Sequence, residues 1–135
     1  ANIAKTSSLE KSSHKKNMKA EMKDEQRMRF QLLKASLLAC SSFIETAASQ
    51  YQLDNMTVQT LTKGFCQLAQ TAEQCQNALL IDDMDLRIES YVSLCHGFSS
   101  VPNQRVLWLE ETAKLLVNYR SGGVSIPRWD EAAQC

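Results

Sequence analysis

The chain has 135 residues, 44% of them hydrophobic, with only four glycines and two prolines. That size fits one compact domain with a core of its own and excludes two, while no run of about 18 apolar residues exists to span a membrane as a helix. Net charge is zero. Yet residues 1–29 hold eight Lys/Arg against four acids, and the remainder seven against eleven, so a basic arm precedes an acidic body.

Residues 1–14, ANIAKTSSLEKSSH, are polar, serine-rich and without period, which predicts a mobile arm. They also lack the apolar core of a secretory leader. Ala1 in place of Met is what a processed chain or an excised piece of a larger protein would show. From Lys15 the composition becomes helix-forming, although packing is expected only from about Met28. Residues 1–27 therefore read as a partly disordered basic arm or helix extension, and residues 28–135 as the folded domain.

The first helix carries a stripe at alternating steps of three and four: Phe30, Leu33, Leu37, Cys40, Ile44, Ala47 and Tyr51. The short link QLDN offers Asp54 or Asn55 as the next N-cap, and so short a link turns the second helix back antiparallel. That helix repeats the pattern with Val58, Leu61, Phe65, Leu68, Ala72, Cys75 and Leu79. Gly64 costs about 1 kcal/mol relative to alanine in mid-helix, so it is expected to mark a close approach by a neighbouring helix. Asp82 or Asp83 caps a third helix with the stripe Met84, Ile88, Tyr91, Cys95 and Phe98, ending near Gly97 and Pro102. A fourth helix begins near Asn103 and carries Val106, Leu109, Ala113 and Leu116, with SGG at 121–123 as terminator. Ser125 and Pro127 can start a short fifth helix; no segment reads as a strand. The predicted fold is all-α: an antiparallel, up-down-up-down four-helix bundle with a basic N-terminal extension and a short fifth helix. A fragment of a helical-repeat protein is the architectural alternative.

Chemistry-bearing residues are present, but their spacing argues against catalysis. Cys95 and His96 are adjacent on a helix, so their side chains diverge, and His96 sits where an imidazole can meet the negative helix end. The chain resembles histidine-phosphotransfer domains in bundle topology alone. The third and fourth residues after His96 are Ser99 and Ser100, where that family carries Lys and Gly. Cys66, Cys75, Cys95 and His96 are too widely spaced for a structural zinc site built on close pairs. Asp82, Asp83, Asp85, Glu110 and Glu111 read as caps and solvated faces, since neither histidine follows a Glu at the spacing of di-iron bundles. No catalytic residue, metal ligand or cofactor is expected. Five cysteines without a CxxC pair point to free thiols and an intracellular setting, cytoplasmic or nuclear.

Two surfaces remain. Trp108, Leu115 and Tyr119 lie beside the core stripe of the fourth helix and widen its apolar arc to roughly 200°; Leu32, Ala39 and Phe43 do the same on the first. These are the candidates for an apolar groove that takes a helical segment of a protein partner, or a second copy of the chain. The expected role is thus a scaffold or adaptor interaction domain. The alternative is nucleic-acid or anionic-membrane binding through Lys15, Lys19 and Lys23, which recur every four residues. Interleaved acids and the lack of an aromatic before Phe30 count against it.

Overall fold

A computed structural model describes the backbone of residues 2–135 and the side chains from residue 18 onward. The chain folds as α1 (Asn2–Gln50), α2 (Asn55–Leu79), α3 (Met84–Gly97), α4 (Pro102–Val117), β1 (Arg120–Ser121), β2 (Val124–Ser125) and α5 (Trp129–Ala133). Helix α1 packs on α2 and α3, and α3 packs in turn on α4. Paired residues give the directions. Lys34 meets the start of α3 at Asp83, and Glu45 meets its end at Gly97, so α1 and α3 run the same way. Cys75 reaches back to Gln26 and Tyr119 to Asp85, so α2 and α4 run the other way. The up-down-up-down bundle is as expected.

Helix α1 starts earlier than the sequence suggests. Its 49 residues are continuous from Asn2, where periodicity places a helix only from Lys15. No glycine or proline occurs before Gly64, so nothing in the backbone chemistry interrupts a helix once its C-terminal half is fixed. Residues 18–29 are all exposed, and Phe30 is the first buried residue among the described side chains, close to the expected start of packing. Phe30, Leu37, Ser41 and Ile44 enter the core, with Cys40 and Ala47 half-buried. Tyr51 does not join them: it lies beyond the last turn and is exposed.

The second stripe is the best match. Val58, Phe65 and Ala72 are buried, and Leu61, Leu68, Cys75 and Leu79 pack against the core. Asp54 is the N-cap, its Oδ1 accepting from the Thr57 N–H at 2.7 Å. That bond holds its carboxyl below the ordinary carboxylate range. The helix ends on Leu80, which takes φ 57° with its N–H on the Asn77 carbonyl, while the Ile81 N–H bonds Gln76. This is the glycine-type Schellman ending built with a leucine. At the α3 start, Asp83 accepts from the Leu86 N–H at 3.3 Å and from Lys34 Nζ at 3.2 Å, while its own carbonyl accepts from buried Gln76 Nε2 at 3.0 Å. One aspartate thereby locks three helices at a corner.

Helix α3 lies between α1 and α4 and buries more than the single predicted stripe: Leu86, Ile88, Ser90, Tyr91, Leu94 and Gly97. The Ser90 hydroxyl donates to the Leu86 carbonyl at 2.7 Å, which satisfies it without a partner helix.

Helix α4 corrects the sequence reading. Its buried residues are Trp108, Thr112 and Leu116, whereas Val106 is exposed. The Trp108 ring meets Phe65 edge-on at 5.4 Å and Tyr91 at 5.1 Å. Burying an indole outweighs burying Val106, and it sets the rotation of the whole helix. Thr112 tolerates burial because its hydroxyl donates to the Trp108 carbonyl at 2.6 Å.

The tail holds a feature the sequence reading lacked, a small hairpin. Gly122 and Gly123 take φ 58° and 78°, the paired positive values of a two-residue hairpin turn, and Arg120 pairs with Ser125. Ser125 is therefore a strand residue, not a cap; α5 begins after Arg128 with no side-chain cap.

Gly64 is also corrected. It is exposed, and a Cβ there would meet nothing within 4 Å. No helix approaches it, so Gly64→Leu has nothing to overpack. Gly64→Ala is expected to raise stability by up to about 1 kcal/mol through helix propensity alone. A urea titration followed by circular dichroism reads this directly, and a lower midpoint would place an unseen contact at that position.

Candidate functional site

The two halves of the predicted groove come apart. On α4, Trp108 is only 4% exposed and belongs to the core; its Nε1 donates to Gln104 Oε1 at 3.1 Å. It is not a partner anchor, because no open face remains on it. Leu115 is half-buried against the same core. Tyr119 is engaged by the tail: its hydroxyl donates to Asp85 Oδ1 at 2.8 Å, and the Arg128 guanidinium lies over its ring at 4.9 Å. The Asp85 hydrogen bond pushes the phenol above its ordinary pKa. Main-chain bonds from Ile126 to Tyr119 and from Arg128 to Leu116, both 2.8 Å, fasten the tail there. The predicted α4 anchors are thus engaged inside the fold, whereas Val106 and Leu107 of the same helix are exposed.

On α1 the other half stays open. Leu32 is 65% exposed and Phe43 62%, and Ala39 between them is exposed too. At about 100° per residue these three lie within one sector of the helix, on the side away from the buried Phe30, Leu37, Ser41 and Ile44. Toward the N-terminus the same side carries Met28 and Met18, with Met22 at its margin, all exposed. Their place on one line with Leu32 was the signal available.

Cys95 and His96 diverge as their adjacency requires. The Cys95 sulfur lies 3.7 Å from Thr112 Oγ1, and burial pushes its thiol up, which disfavours the thiolate. His96 is exposed in the last turn of α3, with Nδ1 3.5 Å from Glu45 Oε1. Among the described residues, no group of three or more His, Cys, Asp or Glu could hold a metal ion, and no helix is long and apolar enough to cross a membrane. Lys19 and Lys23 are exposed; the Lys15 side chain lies outside the described residues. Glu21, Asp24 and Glu25 are exposed in the same turns, and Asp24 pairs with Arg27 at 3.7 Å.

One surface feature was not foreseen. An open cleft of about 550 Å³ lies at the end of the bundle where the α1–α2 and α3–α4 links meet, lined by Tyr51, Leu53, Asn55, Val58 and Pro102 among others. Its lining includes no carboxylate, histidine, lysine or cysteine, and its side-chain hydroxyls are those of Ser49, Tyr51 and Ser100. No family model, curated protein or solved structure matches the chain.

Proposed function

We propose that this chain is a non-enzymatic protein–protein interaction domain of scaffold or adaptor type, which presents the outer face of α1 to a partner helix. The observation that carries this reading is the pair Leu32 and Phe43: two large apolar side chains held in water, 65% and 62% exposed, on one sector of a rigid helix. Each would gain roughly 1.5–3 kcal/mol by complete burial. Holding them on a packed helix makes that gain available to a partner at little ordering cost. The five cysteines are free, which supports placing the domain in a reducing compartment, cytoplasm or nucleus.

The test is capture of proteins from cell extract by the tagged chain. Wild type and His96→Ala are expected to retain the same proteins. The double variant Leu32→Glu/Phe43→Glu is expected to retain about tenfold less or lower still, because both anchors are lost. Both sites are exposed, so circular dichroism should be unchanged. A folded double variant that captures the same set at the same level would remove this reading. Loss of capture in His96→Ala alone would move the site to the end of α3.

A further inference from the structure

We propose that the partner helix is α1 of a second copy of this chain, packed antiparallel about a two-fold axis at residue 27. This rests on the outer face of α1 being an interaction surface and names its occupant. Met18, Met22, Glu25, Arg29, Leu32 and Ser36 follow one another at steps of four, three, four, three and four, so they share one side of the helix. All six are exposed. That series of steps is the same from either end, and its inner four positions match in chemistry: a glutamate and an arginine of opposite charge at the centre, a methionine and a leucine outside them, with Met18 and Ser36 at the two ends. An antiparallel copy centred on residue 27 therefore sets Met22 against Leu32 of the second copy, and Glu25 against Arg29 of the second copy. Each contact occurs twice, as a two-fold interface requires.

Charge selects the direction. A parallel, in-register pair would place glutamate on glutamate and arginine on arginine, whereas the antiparallel pair places opposite charges together. Among the described residues, the ion pair of this stretch joins Arg27 to Asp24 and uses neither Glu25 nor Arg29. Length agrees as well. The part of α1 ahead of Phe30 runs from Asn2 to Arg29, about 42 Å at 1.5 Å per residue. That length runs alongside Leu32, Ala39 and Phe43 of the second copy. The same operation gives the exposed residues 18–29 of each α1 a helical neighbour.

Sedimentation velocity of the full chain across a micromolar dilution series tests this. The wild type is expected to dimerise, and Leu32→Glu to sediment as a folded monomer. Glu25→Arg and Arg29→Glu are each expected to raise the dissociation constant by about tenfold or more, since each sets like charges together twice. The combined reversal, Glu25→Arg with Arg29→Glu, is expected to restore it to within about threefold, because the pairs re-form with their signs exchanged. A wild type that stays monomeric throughout overturns the proposal. So does a dimer in which the combined reversal binds no better than the single ones. If the monomeric chain still captures other proteins through Leu32 and Phe43, only the second-copy occupant is lost; if capture ignores those residues, the interaction surface itself is lost.

Discussion

Trp108→Ala is expected to destabilise the domain by about 3–5 kcal/mol. For a chain of this size, whose total stability is on the order of 5–15 kcal/mol, that removes a third of it or more over most of that range. The indole is 4% exposed and contacts aromatic rings from two other helices, Phe65 on α2 and Tyr91 on α3. Its removal opens a cavity where three helices meet, and the neighbours cannot close it without leaving their own rotamers. A polar chain is cut at the same point: Trp108 Nε1 donates to Gln104 Oε1, which also accepts from Thr62 Oγ1 at 3.3 Å. Trp108→Phe keeps most of the ring and leaves Thr62 on Gln104, so its cost should be about half or less. Trp129→Ala is the control. Trp129 is 62% exposed, and its loss should change stability by no more than about 0.5 kcal/mol. Urea denaturation of the three variants, followed by circular dichroism, gives the order directly. A Trp108→Ala protein within about 1 kcal/mol of wild type would mean the indole faces outward and the α4 groove is real. Partner binding by this variant has meaning only after its folding has been measured.

Trp108 also shows where the sequence was readable and where it was not. Helix α2 could be read because its apolar residues form one stripe without competitors, and the caps Asp54 and Asp83 because an Asp before an apolar-periodic run has few other uses. Helix α4 carries two overlapping stripes that share Leu116. The apolar count favours Val106, Leu109, Ala113 and Leu116; the fold chooses Trp108, Thr112 and Leu116. A pattern of hydrophobicity scores Thr112 against burial, but its hydroxyl is satisfied by its own helix. The same holds for Ser41, bonded to the Leu38 carbonyl, and for Ser90, bonded to Leu86. Such residues behave as small core residues once the backbone takes their hydrogen bond. The left-handed Leu80 lay outside any sequence rule, since glycine is the usual residue there. For the candidate site, Leu32 and Phe43 could be found because a second stripe on a helix is visible in the sequence. On α4 the core takes Trp108 and Leu115, and Tyr119 is covered by the C-terminal tail. Its docking on Tyr119 uses backbone groups of Leu116 and Tyr119, which a side-chain pattern does not display.

The two glycines within helices make the sharpest contrast, and Gly97 carries the second large effect. Gly97 reads in the sequence as a helix stop, yet it is the last residue of α3, it is buried, and its φ is not positive. What it provides is room. A Cβ at this position would lie 3.0 Å from the Glu45 Cα, 3.2 Å from its nitrogen and 3.3 Å from the Ile44 carbonyl oxygen. All three are backbone atoms of α1, so no side chain can rotate away to relieve the contact. The helices would have to separate where Ile44, Leu94 and Phe98 are fully buried, loosening every contact in that layer. Gly97→Ala is expected to lose about 1–2 kcal/mol net, because overpacking of about 1–3 kcal/mol exceeds the helix-propensity gain of at most about 1 kcal/mol. Gly97→Val should lose about 3 kcal/mol or more, since branching at Cβ puts further atoms against the same backbone. Alanine at the two glycines should thus move the urea midpoint in opposite directions: up at Gly64, where nothing lies within 4 Å, and down at Gly97. Helix propensity alone predicts a rise at both. If Gly97→Ala rises as Gly64→Ala does, α1 and α3 do not approach as closely as their backbones indicate, and Gly97 is no more than a helix end.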